Sequence, residues 1–381
     1  MITLDGHSLT LDDFVRVARF KKPVRLASTA KTAVKKSRDV VRHNIEQKNV
    51  VYGINTGFGS LSNVRIADSD FNALQRNLIV SHACGTGEPF DSEVVRGMLV
   101  LRVNALVKGY SGIRLETVEK LIEMLNKDVI PVVYEQGSLG ASGDLVPLAH
   151  MALPLIGEGE VMVKGEKMAS LEGFNRADID PLGALESKEG LALINGTQAM
   201  LSVGALTLYD GFDLYLSVLL SSGLTFEALN GIIDVFDKRI HEARPHPGQS
   251  ITAMLMRRLL DGSKNTIHQG KGKVQDAYSL RCIPQVHGAT LETMIDVLEK
   301  VQIEMNSATD NPLLFTDDEK AISAGNFHGE ILAMYFDYLA IALSEVASMS
   351  ERRLERLVNA TLNGKYPPFL AKYKGRNSGF M

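Results

Sequence analysis

Three consecutive small residues, Ala141-Ser142-Gly143, have the composition needed to build an electrophile from the backbone itself. Attack of the Gly143 amide nitrogen on the Ala141 carbonyl carbon would close a five-membered ring, and loss of two waters, one taking the Ser142 hydroxyl, would leave a conjugated methylidene-imidazolone. Glycine supplies an unhindered nitrogen and a backbone that can bend. Because the standard side chains include no strong electrophile, such a ring would serve as a built-in cofactor, and we predict no external one.

The same stretch is also typical of a turn followed by a helix cap. Ser142 or Asp144 has a side chain suited to capping a helix that we predict to begin near Leu145. A nucleophile elbow is excluded by spacing, because the second glycine that this motif needs after Ser142 falls on Asp144. The tripeptide by itself leaves the cap and the ring both open.

Composition excludes several classes of protein. The 381 residues carry a formal net charge of −4 with 45% hydrophobic residues, which argues against a nucleic-acid binder. Two cysteines, Cys84 and Cys282, form no disulfide framework and indicate a reducing compartment. The N-terminal residues 1–6 lack the basic flank and apolar run of a signal peptide, so we predict a cytoplasmic protein.

Helical periodicity dominates the first half of the chain. Apolar residues three or four positions apart predict helices over 28–47, 68–84, 92–108 and 114–126. Glycine-rich loops at 52–59 and 137–143 interrupt them, and such loops are common places for functional groups on a rigid scaffold. A small hairpin is predicted at 160–163, with its turn at Lys164-Gly165 and a return at 167–168.

The second half is predicted to be a bundle of long helices, which makes the fold mainly α. The predicted helices cover 190–208, 210–221, 250–260, 285–306, 331–348 and 351–362. The uncharged run from Leu191 to Tyr209 contains Asn195 and Thr197, so a helix buried in protein explains it better than a membrane span. We predict an N-terminal domain over 1–185 and a central bundle over 186–381.

Several strings together resemble the aromatic amino acid ammonia-lyases and aminomutases. The first is the fourteen-residue string from Gly137 to His150, which contains Ala141-Ser142-Gly143. The others are Tyr-Gly-x-Asn-Thr-Gly-Phe-Gly at 52–59, Gly-Leu-Ala-Leu-Ile-Asn-Gly-Thr at 190–197, the string at 275–288 and Asn-Ser-Ala-Thr-Asp-Asn-Pro-Leu at 306–313. Shorter matches follow at 326–329 and 350–353.

This resemblance implies that Ala141-Ser142-Gly143 matures into the methylidene-imidazolone. It also implies an amino acid substrate and a homotetramer whose sites are shared between subunits, with no nucleic-acid or membrane partner. Tyr52 matches the catalytic tyrosine of the family, whose phenol acts as a base. For an isolated tyrosine, a half-buried position in the core or at its rim would be the ordinary interpretation.

Other candidate site residues follow from the same motifs. Arg281 matches the residue that holds the substrate carboxylate, and a planar guanidinium suits that group. Gln275 and Tyr278 would share a face with Arg281 if the segment is helical, and Tyr278 is a candidate catalytic residue. Asn195, expected in mid-helix, either satisfies a neighbouring backbone group or presents its amide to the ring and substrate. Phe327 matches a pocket-lining aromatic, with core packing as the alternative.

The Ser81-His82 pair resembles the histidine-specific branch of the family. His82 could hydrogen-bond an imidazole, which favours the deamination of L-histidine to trans-urocanate and ammonia. Tyrosine-specific relatives also use histidine in this neighbourhood. Tyrosine or phenylalanine ammonia-lyase and 2,3-aminomutase activity are therefore alternatives, and a non-catalytic helical oligomer is a further one.

Two remaining features complete the sequence predictions. His241 and His246 are five residues apart with Pro245 between them, a poor geometry for a metal pair, and we predict no metal. Family members continue beyond the final Met381, so the resemblance implies a C-terminally shortened chain with an incomplete bundle. Arg376 stands where the family more usually has leucine, and we assign it no function.

Overall fold

The computed structural model describes residues 1–57, 59, 63–373 and 375–381, with the backbone alone for Asp68. The fold is mainly α, as predicted, with 56% of the residues in helices. The described chain divides into two compact units, Met1–Leu206 with Lys300–Met334, and Thr207–Glu299 with Tyr335–Met381. The boundary that we predicted near residue 185 stays a prediction, and this division by contacts falls elsewhere.

The α-helices α1 to α15 are, in chain order, Leu11–Ala18, Ser28–Glu46, Phe71–His82, Ser92–Leu106, Leu115–Asn126, Leu145–Ala152, Ser170–Arg176, Glu189–Ile194, Gln198–Ala228, Lys238–Glu242, Pro247–Leu259, Tyr278–Arg281, Ile283–Met305, Glu330–Val358 and Ala360–Asn363. Short 3₁₀ helices lie at Asp68–Asp70, Leu153–Ile156, Ile233–Phe236 and Pro368–Leu370. The strands β1 to β9 are Ile2–Leu4, Val24–Leu26, Thr86–Pro89, Val129–Pro131, Tyr134–Gln136, Glu160–Val163, Glu166–Ala169, Leu313–Phe315 and Lys320–Ile322.

The strands form small sheets that connect the helices. β1 pairs in parallel with β2, while the pairs β3 with β5 and β8 with β9 are antiparallel. β4, β6 and β7 form an antiparallel sheet in which Val161 faces Pro131 on one side and Met168 on the other. The predicted hairpin is therefore confirmed, with Lys164 and Gly165 at positive φ in its turn.

Helix α4 lies in the core of the first unit and is buried from Val95 to Leu106. It contacts α1, α5 and α6, whose apolar faces cover it on several sides. Residues 300–334 belong to this unit because β8 returns to it. Leu314 of β8 joins Val40, Val41 and Ile54 in a buried apolar cluster.

The early helices agree with the prediction to within a few residues, whereas four later predicted helices differ, those over 190–208, 210–221, 331–348 and 351–362. The predicted helix over 190–208 is interrupted, because α8 ends at Ile194 and α9 begins at Gln198. Asn195 has φ −94° and ψ 101°, so its predicted mid-helix position is wrong. Helix α9 then continues without a break to Ala228, and α14 likewise runs unbroken through the predicted gap after residue 348.

Among the described residues, two segments have the length and apolar composition of a membrane-spanning helix, Glu189–Ala228 and Glu330–Val358. Within the first, 83% of the most apolar window is buried in the protein, which agrees with the interpretation of the run from Leu191 to Tyr209 as protein-buried. Within the second the buried share is 22%. Length and composition are weak grounds for a membrane span, since core helices satisfy the same criterion.

Within the second unit, a buried guanidinium faces a buried imidazole. Arg353 Nη1 lies 3.1 Å from His287 Nε2 and also donates to the Ser279 carbonyl oxygen. Because a guanidinium only donates, His287 Nε2 accepts and the ring is neutral. Burial, and then the Arg353 charge, lowers the pKa of His287 to about 4.

This pKa predicts a specific loss of stability in acid. The unfolded chain binds a proton at His287 below about pH 6.5, whereas the folded protein resists that proton down to about pH 4. The neutral His287 therefore contributes its full stabilisation above the pKa of the unfolded chain. As the pH falls toward the pKa of the folded protein, the free energy of unfolding decreases by about 3 kcal/mol.

Urea unfolding of the wild type and of His287→Gln at pH 7 and pH 4 measures this effect. We expect the free energy of unfolding of the variant to fall less between the two pH values, by about 3 kcal/mol. Glutamine keeps an acceptor for Arg353 but does not titrate. Equal losses in the two proteins would contradict the assignment.

Candidate active site

Ala141 and Ser142 lie in a tight turn between Gly140 and Gly143. The Gly143 amide donates to the Gly140 carbonyl oxygen at 3.1 Å, which folds the Gly143 nitrogen back over the two residues between them. Gly140 and Gly143 have φ of +80° and +81°, the left-handed region that glycine enters without strain. The turn thus provides the bent backbone that attack by the Gly143 nitrogen requires.

The interruption between α8 and α9 supports this turn. Asn195 is 5% exposed, and its Nδ2 donates to the Ser142 carbonyl oxygen at 3.0 Å. The Gly196 carbonyl oxygen accepts from the Asp144 amide at 2.6 Å. A Cβ on Gly143 would lie 2.8 Å from the Gly196 oxygen, so the turn and the interruption are in close backbone contact.

Asp144 caps a different helix from the one that we expected. Its carboxylate makes no cap to α6, which follows it, but accepts from the Ala199 and Met200 amides of α9 at 2.8 and 2.9 Å. The Ser138 hydroxyl donates to the same carboxylate at 2.7 Å. Burial raises the pKa of Asp144, and these hydrogen bonds oppose that shift. The carboxylate ties the turn to the N-terminus of α9.

Tyr52 and Phe327 line one cavity of about 550 Å³. The Gly59 amide lies 3.4 Å from the Tyr52 hydroxyl oxygen and donates to it. The other lining residues are Val50, Thr56, Gly59, Asn63, Asn311, Ser323 and Ala324. Phe58, which belongs to the motif at 52–59, lies outside the described residues.

The loop that carries Phe327 lies against the turn. The Gly329 amide donates to the Gly140 carbonyl oxygen at 3.1 Å. A Cβ on Gly143 would come within 3.3 Å of the Phe327 carbonyl oxygen. Phe327, which lines the cavity with its side chain, therefore has its backbone next to Ala141-Ser142-Gly143.

His82 is the last residue of α3, and its ring has a defined orientation. Its Nδ1 lies 2.8 Å from the Leu78 carbonyl oxygen. Since a carbonyl only accepts, Nδ1 carries the proton in this bond and Nε2 is the acceptor of the neutral ring. The chain after His82 approaches the ring-forming string, where a Cβ on Gly137 would lie 3.3 Å from Gly85 Cα.

Gln275, Tyr278 and Arg281 belong to the second unit. Tyr278 begins α12 and Arg281 ends it, with the guanidinium carbon 4.5 Å from the centre of the Tyr278 ring. Gln275 precedes the helix. Of the three residues that we predicted to share a helix face, only Tyr278 and Arg281 therefore lie in one helix. Tyr278 is 71% exposed.

Sequence analysis missed Gly196 and the role of Asp144, which become apparent only when α9 is seen to begin at Gln198. The one local signal was the Asn195-Gly196-Thr197 string inside an apolar run. In the part of the chain that the structure describes, no group of three His, Cys, Asp or Glu side chains is arranged to hold a metal. The prediction that no metal is needed stays a prediction.

A profile described as aromatic amino acid lyase matches residues 9–381. The chain belongs to the aromatic amino acid lyase family. It is 56% identical over 380 residues to the histidine ammonia-lyase of Alkaliphilus oremlandii (strain OhILAs), an alignment that covers 100% of this chain and 75% of that protein.

Two solved structures are similar to this lyase over its whole length. Histidine ammonia-lyase from Trypanosoma cruzi matches with a TM-score of 0.90 and 40% identity, over 100% of this chain and 71% of that one. Tyrosine aminomutase from Streptomyces globisporus matches with a TM-score of 0.95 and 35% identity, over 100% and 75% respectively. Both lyases and aminomutases thus share this fold.

The aromatic amino acid lyase family is known to use a methylidene-imidazolone. Three observations of this lyase fit that group. The turn holds the small residues Ala141-Ser142-Gly143, it packs too closely on Gly196 for a side chain at Gly143, and the Asn195 amide reaches the Ser142 carbonyl oxygen. The residues present therefore fit that group.

The close approach of Gly143 to Gly196 predicts a large effect of a single methyl group. Gly165 is the control position, because its φ of +84° is close to the +81° of Gly143 and a Cβ there would have nothing within 4 Å. Gly165→Ala should lower the free energy of unfolding by about 1 to 2 kcal/mol. Gly143→Ala should cost about 1 to 3 kcal/mol more, because the methyl group must displace backbone.

Both changes are best made in a Ser142→Ala background, so that ring formation does not alter the stability measured. Urea unfolding then compares the two variants directly. Equal losses of unfolding free energy would mean that Gly143 is required for its φ alone and that its contact with Gly196 contributes nothing.

Proposed function

We propose that this protein catalyses the non-oxidative deamination of L-histidine to trans-urocanate and ammonia, with an electrophile formed from Ala141-Ser142-Gly143. The observation that carries the proposal is the supported turn, in which the Asn195 amide donates to the Ser142 carbonyl oxygen at 3.0 Å. The 56% identity to a histidine ammonia-lyase supports the choice of substrate.

The reaction breaks the bond between Cα and the amine nitrogen and removes a proton from the β-carbon, and the electron pair of the C–H bond becomes the new double bond. A methylidene-imidazolone supplies an electrophile that captures the amine and improves it as a leaving group. Tyr52 is the proposed base for the β-proton. Its place in the cavity lined also by Phe327, next to the turn, supports this assignment.

Asn195 is proposed to stabilise negative charge on the Ser142 carbonyl oxygen. Its amide is already in place and nearly excluded from water, at 5% exposure. A fixed donor in a dry site stabilises developing charge without reorganising when the charge appears. The interruption between α8 and α9 is what aims this side chain at the turn.

His82 is proposed to recognise the substrate imidazole. With its Nδ1 proton bound to the Leu78 carbonyl oxygen, Nε2 offers a lone pair to an imidazole N–H. A phenyl ring has no such donor. This arrangement favours histidine over phenylalanine, and Phe327 is proposed to contact the substrate from the cavity wall.

The remaining assignments concern the second unit and the assembly. Arg281 is the proposed carboxylate ligand, with Gln275 and Tyr278 as further site residues, and Tyr278 among the catalytic ones. We also propose a cytoplasmic homotetramer with sites shared between subunits. The apolar side chains that α14 exposes, including Met334 at 63% and Ile341 at 64%, support burial in such an assembly.

The proposal is tested by product analysis with histidine, tyrosine and phenylalanine as substrates. We expect urocanate and ammonia, with histidine preferred. Ser142→Ala should reduce turnover by at least about 10³-fold, because it removes the electrophile from an enzyme whose total rate enhancement is about 10⁶ or more. A β-amino acid product would favour the aminomutase alternative, and products from tyrosine or phenylalanine alone would favour those lyases.

The role of His82 predicts a change in specificity. His82→Leu should lower kcat/KM for histidine by about tenfold, the value of one neutral hydrogen bond, and leave phenylalanine turnover equal or higher. His82→Gln keeps an acceptor and should lose less. The ratio of kcat/KM for the two substrates is the measurement, and an unchanged ratio in both variants would contradict this role.

A further inference from the structure

A buried arginine of the first unit takes no part in the chemistry above. Arg102, on α4, is 0% exposed. Its Nε donates to the Ala192 carbonyl oxygen at 3.0 Å, its Nη2 donates to the same oxygen, and its Nη1 donates to Gln198 Oε1 at 2.9 Å. Gln198 is held in turn by its Nε2, which donates to Thr309 Oγ1 at 2.7 Å.

These partners lie on the two sides of the helix interruption. Ala192 is in the last turn of α8, where carbonyl groups lack helical partners, and Gln198 is the first residue of α9. One guanidinium therefore bridges the end of one helix and the start of the next. Gly196 lies directly on it, since a Cβ there would overlap Arg102 Nη1.

We propose that Arg102 is a positioning residue for ring formation, which fixes the connector Asn195-Gly196-Thr197 in the non-helical form that holds the Ala141-Ser142-Gly143 turn. The inference rests on the proposed electrophile. An unbroken series of contacts joins Arg102 to the turn. Gly196, which lies on the guanidinium, accepts from the Asp144 amide, and the neighbouring Asn195 donates to the Ser142 carbonyl oxygen. Arg102 touches neither the ring-forming atoms nor the substrate cavity.

The fork geometry of arginine explains why this residue type is suited to the position. Two partners in different directions are bound at once, which a lysine ammonium on a flexible stem does less well. The buried charge is compensated nearby, because Asp310 acts on Arg102 and also pairs with Lys188 at 2.8 Å. Burial lowers the pKa of Arg102 to about 10, so it remains a cation at neutral pH.

Helix α4 provides a matched control in Arg96. Arg96 is 2% exposed and donates to the carbonyl oxygens of Val17 and Leu125 and to Asp128 Oδ1. It therefore resembles Arg102 in burial and in binding both backbone and side-chain acceptors. None of these partners belongs to the connector or the turn. Substitution of either arginine removes a buried cation, but only Arg102 should affect the ring.

The experiment measures the fraction of chains that lack two waters at residues 141–143, by mass spectrometry of folded, purified protein. We expect Arg102→Met to lower this fraction by at least about tenfold, because misplacing reacting groups by about 1 Å slows a positioned reaction by about 10²-fold. Arg102→Lys should recover part of the loss. Arg96→Met should leave the fraction at the wild-type value while it lowers thermal stability.

Gln198→Ala, which removes one partner of Arg102 and keeps the cation, serves as the second variant if Arg102→Met does not fold. It should lower the ring fraction less than Arg102→Met would. Equal ring fractions in the Arg102, Gln198 and Arg96 variants would overturn the positioning role and leave the proposed function intact. A wild type that carries no ring would overturn the proposed function itself.

Discussion

Between α8 and α9 three residues, Asn195-Gly196-Thr197, leave the helical conformation, and the Asn195 side chain and the Gly196 backbone bind the Ala141-Ser142-Gly143 turn and the residue after it. The Asn195 amide reaches the Ser142 oxygen at 3.0 Å, and the Gly196 oxygen receives the Asp144 amide at 2.6 Å. A helix continued through these residues would engage its backbone groups internally. The interruption therefore leaves the Gly196 carbonyl oxygen and the Asn195 side chain available for hydrogen bonds to the candidate site.

Opposite charges stabilise the two helix ends that this interruption creates. Arg102 places a cation on the Ala192 carbonyl oxygen at the C-terminal end of α8, and Asp144 places a carboxylate on two amides at the N-terminal end of α9. A cation at the C-terminal end of a helix and an anion at the N-terminal end are the charges that the helix dipole favours. Thr197 adds a third tie, because its hydroxyl donates to Glu304 Oε1 at 2.6 Å. Burying these polar groups costs free energy, and their hydrogen bonds to the unpaired backbone groups at the helix ends offset that cost.

Sequence patterns predicted the features that are encoded locally. Apolar periodicity located α2 and the alternation of Val161 and Val163 located the hairpin, because both patterns reflect the period of a single element. Asn195 was misplaced in mid-helix because the interruption depends on Arg102 and Asp144, which are remote in the chain. Motifs predicted Tyr52 and Phe327 as site residues, but that they line one cavity depends on tertiary packing, which no local pattern records.

If the turn at 140–143 is supported for cyclisation, the peptide that carries Ser142 in the purified wild-type chain must contain the ring, and its mass shows whether it does. We expect a deficit of two waters confined to Ala141-Ser142-Gly143. A peptide of full, unmodified mass from folded protein would contradict it, because the contacts from Asn195, Gly196 and Asp144 would then hold an ordinary turn.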